Sequence, residues 1–130
     1  MRQMNIGQRV RGELTGNIST ATAFTLYDAG GVAVTLGTKQ LIIYAIEYSI
    51  TSSGAAAIIT IFQDLNSNGT VDAGERLAVW NVTTGTGGAN NNGQRVYPEG
   101  VPVKPGVTPK GITTSAGTTT IILHGVLVGQ

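Results

Sequence analysis

The sequence predicts an all-β fold, a jelly-roll-like β-sandwich of about eight short antiparallel strands. Three observations lead to it. β-Branched and aromatic residues collect in short runs, several alternating with polar residues, as strands buried on one face require. Turn-forming Gly, Asn, Asp and Pro interrupt those runs roughly every ten residues. The composition, with 19 glycines, 12% charged and 41% hydrophobic residues, works against long helices. An immunoglobulin-like sandwich is the second architecture on this pattern. The chain has no cysteine, so the Cys…Trp…Cys spacing of that fold is missing.

A chain of 130 residues is long enough for one domain with one core. We divide it into an N-terminal arm, residues 1–13, and a single sandwich, residues 14–130. The arm carries Arg2, Arg9 and Arg11, which are the candidate contacts to an acidic neighbouring surface. The plainer reading is a solvated lead-in. A first strand is expected near Val10 or Leu14.

Residues 24–27 and 32–36 alternate on either side of Asp28-Ala29-Gly30-Gly31, the pattern of a hairpin and its turn. Residues 41–50 make the clearest strand. Strict alternation puts Ile42, Tyr44, Ile46, Tyr48 and Ile50 on one face and Leu41, Ile43, Ala45, Glu47 and Ser49 on the other. Both faces are apolar at its start, which places it inside a sheet. Residues 83–93 read as a loop, and Arg95, Val96 and Tyr97 as a short strand. All four prolines fall at 98, 102, 105 and 109. Without N–H donors that stretch suits no central strand and fits a stiff connection between sheets or an extended surface segment. Residues 111–114 and 118–128 supply the last strands. The only histidine, His124, is expected to pack or to line an interface, and Glu47 to sit at a rim.

The most specific stretch lies between two apolar runs, in residues 58–82. Counting from Asp64 as the first position, Asn66 is third, Asn68 fifth, Gly69 sixth, Thr70 seventh, Asp72 ninth and Glu75 twelfth. This is the order of an EF-hand calcium loop. Alternate side-chain oxygens suit a hard cation, Gly69 permits the turn, Thr70 offers its carbonyl, and Glu75 closes the set with two oxygens. The bland alternative is a long polar hairpin turn. Helices should flank an EF-hand, yet Ile58, Ile59, Thr60, Ile61 and Phe62 favour a strand, as do Val79, Trp80 and Val82. The expectation is a β-hairpin tipped by a calcium-type loop. Two neutral Asn ligands place its affinity at the weak end, near ~10⁻⁴ M.

A net charge of +1 supplies no field to draw the chain onto nucleic acid. No apolar stretch is long enough to span a membrane, and MRQMNIGQRVRGEL lacks the apolar segment of a secretory signal. Synthesis and folding in the cytosol are therefore expected. One histidine and no cysteine leave no nucleophile–base pair to suggest. The carboxylates closest in sequence are better explained as one ion cage than as acid–base catalysts. No small-molecule substrate is implied.

The hairpin LYDAGGVAVTL, the strand LIIYAIEYSI, the segment IFQDLNSNGTVDAGERL and the closing TTTIILHGVLVG together resemble the small β-sandwich decoration, or cement, proteins of tailed-phage capsids. The resemblance spans most of residues 20–130, and only the acidic loop in it is specific. It implies a jelly-roll homotrimer on the outside of the virion, bound to the major capsid protein and stabilising the head. It also implies a calcium loop that meets calcium only after release from the cell. The alternative is a calcium-dependent binding module, an adhesin or carbohydrate-binding sandwich with exposed aromatics beside the ion.

Overall fold

A computed structural model describes residues 7–51, 57–82, 90–114 and 117–129. Its strands are β1 (Gln8–Gly16), β2 (Thr22–Ala23), β3 (Thr25–Asp28), β4 (Gln40–Thr51), β5 (Ala57–Phe62), β6 (Arg76–Val82), β7 (Asn90–Pro102), β8 (Lys110–Thr113) and β9 (Thr119–Val128). The described residues contain no helix. The strands form two antiparallel sheets, ordered β3-β1-β9-β4-β7 and β2-β8-β5-β6. With β3 set aside, the pairs β1/β9, β2/β8, β4/β7 and β5/β6 are nested one inside the next. This is the jelly-roll plan: one long ribbon, doubled back at the β5–β6 hairpin and rolled into two layers.

Alternation along each strand builds the core between the layers. Val10 and Leu14 of β1, Ile121, Leu123 and Leu127 of β9, and Ile59 and Ile61 of β5 all point inward and are buried. Each such side chain contributes about 1.5–3 kcal/mol by leaving water. One margin of the sandwich is closed by the chain itself. β2 belongs to one sheet and β3 to the other, and the buried Phe24 between them donates its N–H to the carbonyl of Pro109. The opposite margin, where β6 and β7 are the free edges, is closed by side chains. The Tyr48 and Trp80 rings lie 5.2 Å apart, and the Arg95 guanidinium covers Trp80 at 4.9 Å from its centroid.

Several expectations are corrected by this arrangement. Residues 8–13 are not an arm: they lie in β1, which is paired on one side with β3 and on the other with β9. Alternation of Val10, Gly12 and Leu14 against charged neighbours was the signal for that strand. Residues 32–36 form no strand. Only Ala33 bridges back to Tyr27, while Asp28 Oδ1 accepts the N–H groups of Gly30 and Val32 and holds the turn.

β4 does not alternate strictly. Leu41 and Ile43 are buried, and then Ile46 and Ile50, with Tyr44 as an extra residue between Ile43, opposite Gly125, and Ala45, opposite His124. The β-bulge reverses the inward face halfway along the strand and leaves Tyr44 exposed. Both faces looked apolar because the strand uses each in turn. β7 is longer than the short strand expected at 95–97, since residues 90–94 pair with β4 as well. It carries Pro98 and Pro102 because it is an edge strand with no ladder to serve on its outer side. Opposite Tyr44 its register shifts, with residues 97–100 lying between the Val96/Ala45 and Val101/Ile43 pairs.

Candidate metal centre

The acidic stretch is the tip of the innermost hairpin. β5 and β6 pair from Ala57/Val82 to Phe62/Arg76, and the register shifts at Ile61/Phe62 just before the loop. Phe62 is fully buried at the loop's foot. There Gln63 donates its N–H to the Glu75 carbonyl at 2.9 Å, so the hairpin ladder continues one step into the loop. The flanks are strands, as expected.

Backbone turns inside the loop bring the predicted donors together. Ser67 and Gly69 both take the left-handed conformation, with φ of 57° and 72°; only at Gly69 is that free of steric cost. Asp64, just 6% exposed, sits at the base. Its Oδ2 accepts the Gly69 N–H at 2.8 Å and its Oδ1 the Asn68 N–H at 3.2 Å. Asp72 Oδ2 accepts the side-chain amides of Asn66 at 3.0 Å and Asn68 at 2.7 Å. The Oδ1 atoms of Asn66 and Asn68 in turn accept the N–H groups of Asn68 and Thr70. The side chains of Asp64, Asn66, Asn68 and Asp72 are thus tied into one hydrogen-bonded cluster, which Thr70 joins through its N–H.

Glu75 is held by hydrogen bonds of its own. Its carboxylate is buried and accepts the N–H of Leu65 on Oε2 and of Asp72 on Oε1, both at 2.8 Å. It laces the two sides of the loop together. Among the described residues no group of three or more His, Cys, Asp or Glu is gathered as a metal cluster. Each Glu75 carboxylate oxygen accepts one N–H and keeps a second lone pair, so these bonds leave both able to ligate a cation.

A residue that the spacing did not flag completes the cluster. Lys110 opens β8 opposite Phe62, and its Nζ donates to Asp64 Oδ2 at 2.9 Å. The Lys110 ammonium lowers the Asp64 pKa below its ordinary value; burial acts the other way, and the N–H groups of Gly69 and Asn68 add to the lowering. No signal in the linear sequence ties Lys110 to Asp64, since only the β5–β8 pairing brings them together.

The donor chemistry suits a hard divalent cation. The loop offers oxygens at the required spacing, and a cation already stands at its first position in the form of the lysine ammonium. When bound, such an ion would be held by Asp64, Asn66, Asn68, the Thr70 carbonyl, Asp72 and Glu75. It would supply charge neutralisation and stiffness at the hairpin tip.

The predicted partner contacts are less unified. Arg2 lies outside the described residues. Arg9 and Arg11 are exposed on the outer face of the five-stranded sheet. Arg11 Nε is paired with Glu13 Oε2 at 2.7 Å, which cancels its charge locally, whereas Arg9 forms no ion pair among the described residues. His124 is exposed rather than packed. It stands on the same face with its Nε2 3.3 Å from Glu47 Oε1. The aromatics wanted beside the loop by a carbohydrate-binding module are elsewhere: Trp80 packs on Tyr48 beneath Arg95, and Tyr97 packs against the core. A scan against protein-family models finds no match to this chain, and a search of curated proteins finds no significant relative.

Proposed function

We propose that this chain is a structural protein of a virion, a decoration or cement protein that binds the outside of a tailed-phage head as an oligomer. The observation that carries the reading is the nested jelly-roll order of the strands, a plan that viral shell proteins use. Fold alone is an argument by analogy. It is joined here by the sequence resemblance over most of residues 20–130. A jelly roll with both margins closed is a rigid block, suited to transmitting load between neighbours.

In this reading the major capsid protein is the partner, and Arg9 is a better docking residue than Arg11 because no described residue pairs with its charge. The β6–β7 margin, where Val96 is 58% exposed on an edge strand, is the surface assigned to contacts between copies, and a homotrimer is the expected assembly. Calcium is the ion assigned to the acidic loop, where it stiffens the hairpin tip. Binding a shell adds stability by mass action, because only the assembled state gains the contact.

The test is light scattering of the purified chain with calcium and with chelator, followed by co-sedimentation with heads of the phage that encodes it. A trimer that sediments with heads is the expected result. A monomer without affinity for heads, binding glycans on an array only when calcium is present, would replace this reading with the adhesin-type module.

A further inference from the structure

We infer that Lys110 is a tethered cation that competes with a divalent ion for Asp64 and so sets how tightly the acidic loop binds. The inference rests on reading residues 64–75 as a calcium loop. Its own foundation is a contact from outside that loop. Lys110 belongs to β8, and the pairing of Phe62 with Lys110 fixes its backbone two residues from Asp64 in the neighbouring strand. Its ammonium donates to Asp64 Oδ2 at 2.9 Å, where the Asp64 side chain is 1% exposed and that of Lys110 28%.

At this depth water screens the pair only partly. Asp64 is the first ligand of the loop, and a divalent ion drawing on its carboxylate would meet the ammonium as a like charge at close range. The ion must displace the lysine from Oδ2 or tolerate it nearby, and both weaken binding. With the ion absent, the lysine does part of its work: it balances the buried carboxylate and keeps the loop folded. The loop is therefore built to be ordered in both states, with a modest affinity that follows from its net charge, since charge count tunes loops of this type.

The experiment is calorimetric titration of calcium chloride into the full chain stripped with EDTA. Three variants are compared with the parent. Lys110→Met removes the charge and keeps most of the stem. Lys110→Gln removes the charge and keeps a donor for Asp64. Arg11→Gln removes a charge from the outer face of the other sheet. The two Lys110 variants should bind calcium about tenfold tighter or more than the parent, and Arg11→Gln should match it. Melting in EDTA checks the other half of the inference: the Lys110 variants should melt lower than the parent without calcium and recover with it.

If the parent binds calcium and neither Lys110 variant binds more than about threefold tighter, Lys110 is no competitor and the loop reading stands. If neither parent nor variants bind calcium at about 10 mM, the loop reading itself falls. Should Lys110→Met fail to fold, Lys110→Gln decides alone.

Discussion

Gly12 and Leu123 face each other across the β1–β9 ladder, and their fit predicts a compensating pair of substitutions. Leu123 is fully buried. A Cβ placed on Gly12 would come within 2.7 Å of both Cγ and Cδ1 of Leu123, and within 3.2 Å of Leu26 Cδ2. The leucine therefore occupies the space that a side chain at residue 12 would need. Leu123→Ala should cost about 3 kcal/mol, within the roughly 2–5 kcal/mol range for buried leucines that leave a cavity. Gly12→Ala alone should cost about 2 kcal/mol by overpacking. The double variant should lose about 3 kcal/mol and not the additive 5 or so, because the new methyl group enters the cavity; the coupling is then about 2 kcal/mol, as expected for residues in contact. Urea unfolding followed by the fluorescence of the single Trp80 measures all four proteins. Costs that add within about 0.5 kcal/mol would show that the two positions do not share that space, and would refute the packing argument.

Three further outcomes are expected. The folded-state pKa of Asp64 is depressed, so its contribution is fully present above the ordinary value of 3.8 and is lost as pH falls through the lower, folded value. The parent should thus lose stability below about pH 4 in acid titration followed by circular dichroism, and Asp64→Asn should flatten that limb. Arg95→Ala should cost about 0.5–1 kcal/mol and shift Trp80 emission to the red as water reaches the ring. Gly100→Ala should cost about 1–3 kcal/mol in thermal unfolding, because φ is +79° there and the new Cβ would lie 2.6 Å from Ile42 Cγ2.

Most of the sandwich was legible because burial on one side of a strand leaves a period-two imprint. Residues 118–128 read as a strand, and burial alternates along 119–128 with Ile121, Leu123 and Leu127 inward, although Ile122, Val126 and Val128 make the other face apolar too. Where a second influence entered, the imprint misled. At Tyr44 one extra residue reverses the phase, and alternation carries no mark of a bulge. Residues 32–36 alternate like a strand but have no neighbour to pair with beyond the Ala33 bridge. The N-terminal stretch looked like an arm because its arginines are conspicuous, yet every second residue from Val10 was already apolar or small.

The acidic loop shows the same division. Asp64, Asn66, Asn68 and Asp72 converge because a twelve-residue coil with a glycine at its sixth position brings alternate residues to one side, and that geometry is local. The partner from beyond the loop is not local. Lys110 reaches Asp64 from 46 residues away. Most of the strand content and the ligand order were thus determined by the chain's own short-range pattern, whose physics is steric and hydrophobic. Which strands lie side by side, where the ladder slips, and which distant charge balances Asp64 were decided by the rolling of the ribbon. Those outcomes depend on contacts between residues far apart in the chain, and such contacts leave no periodic trace along it.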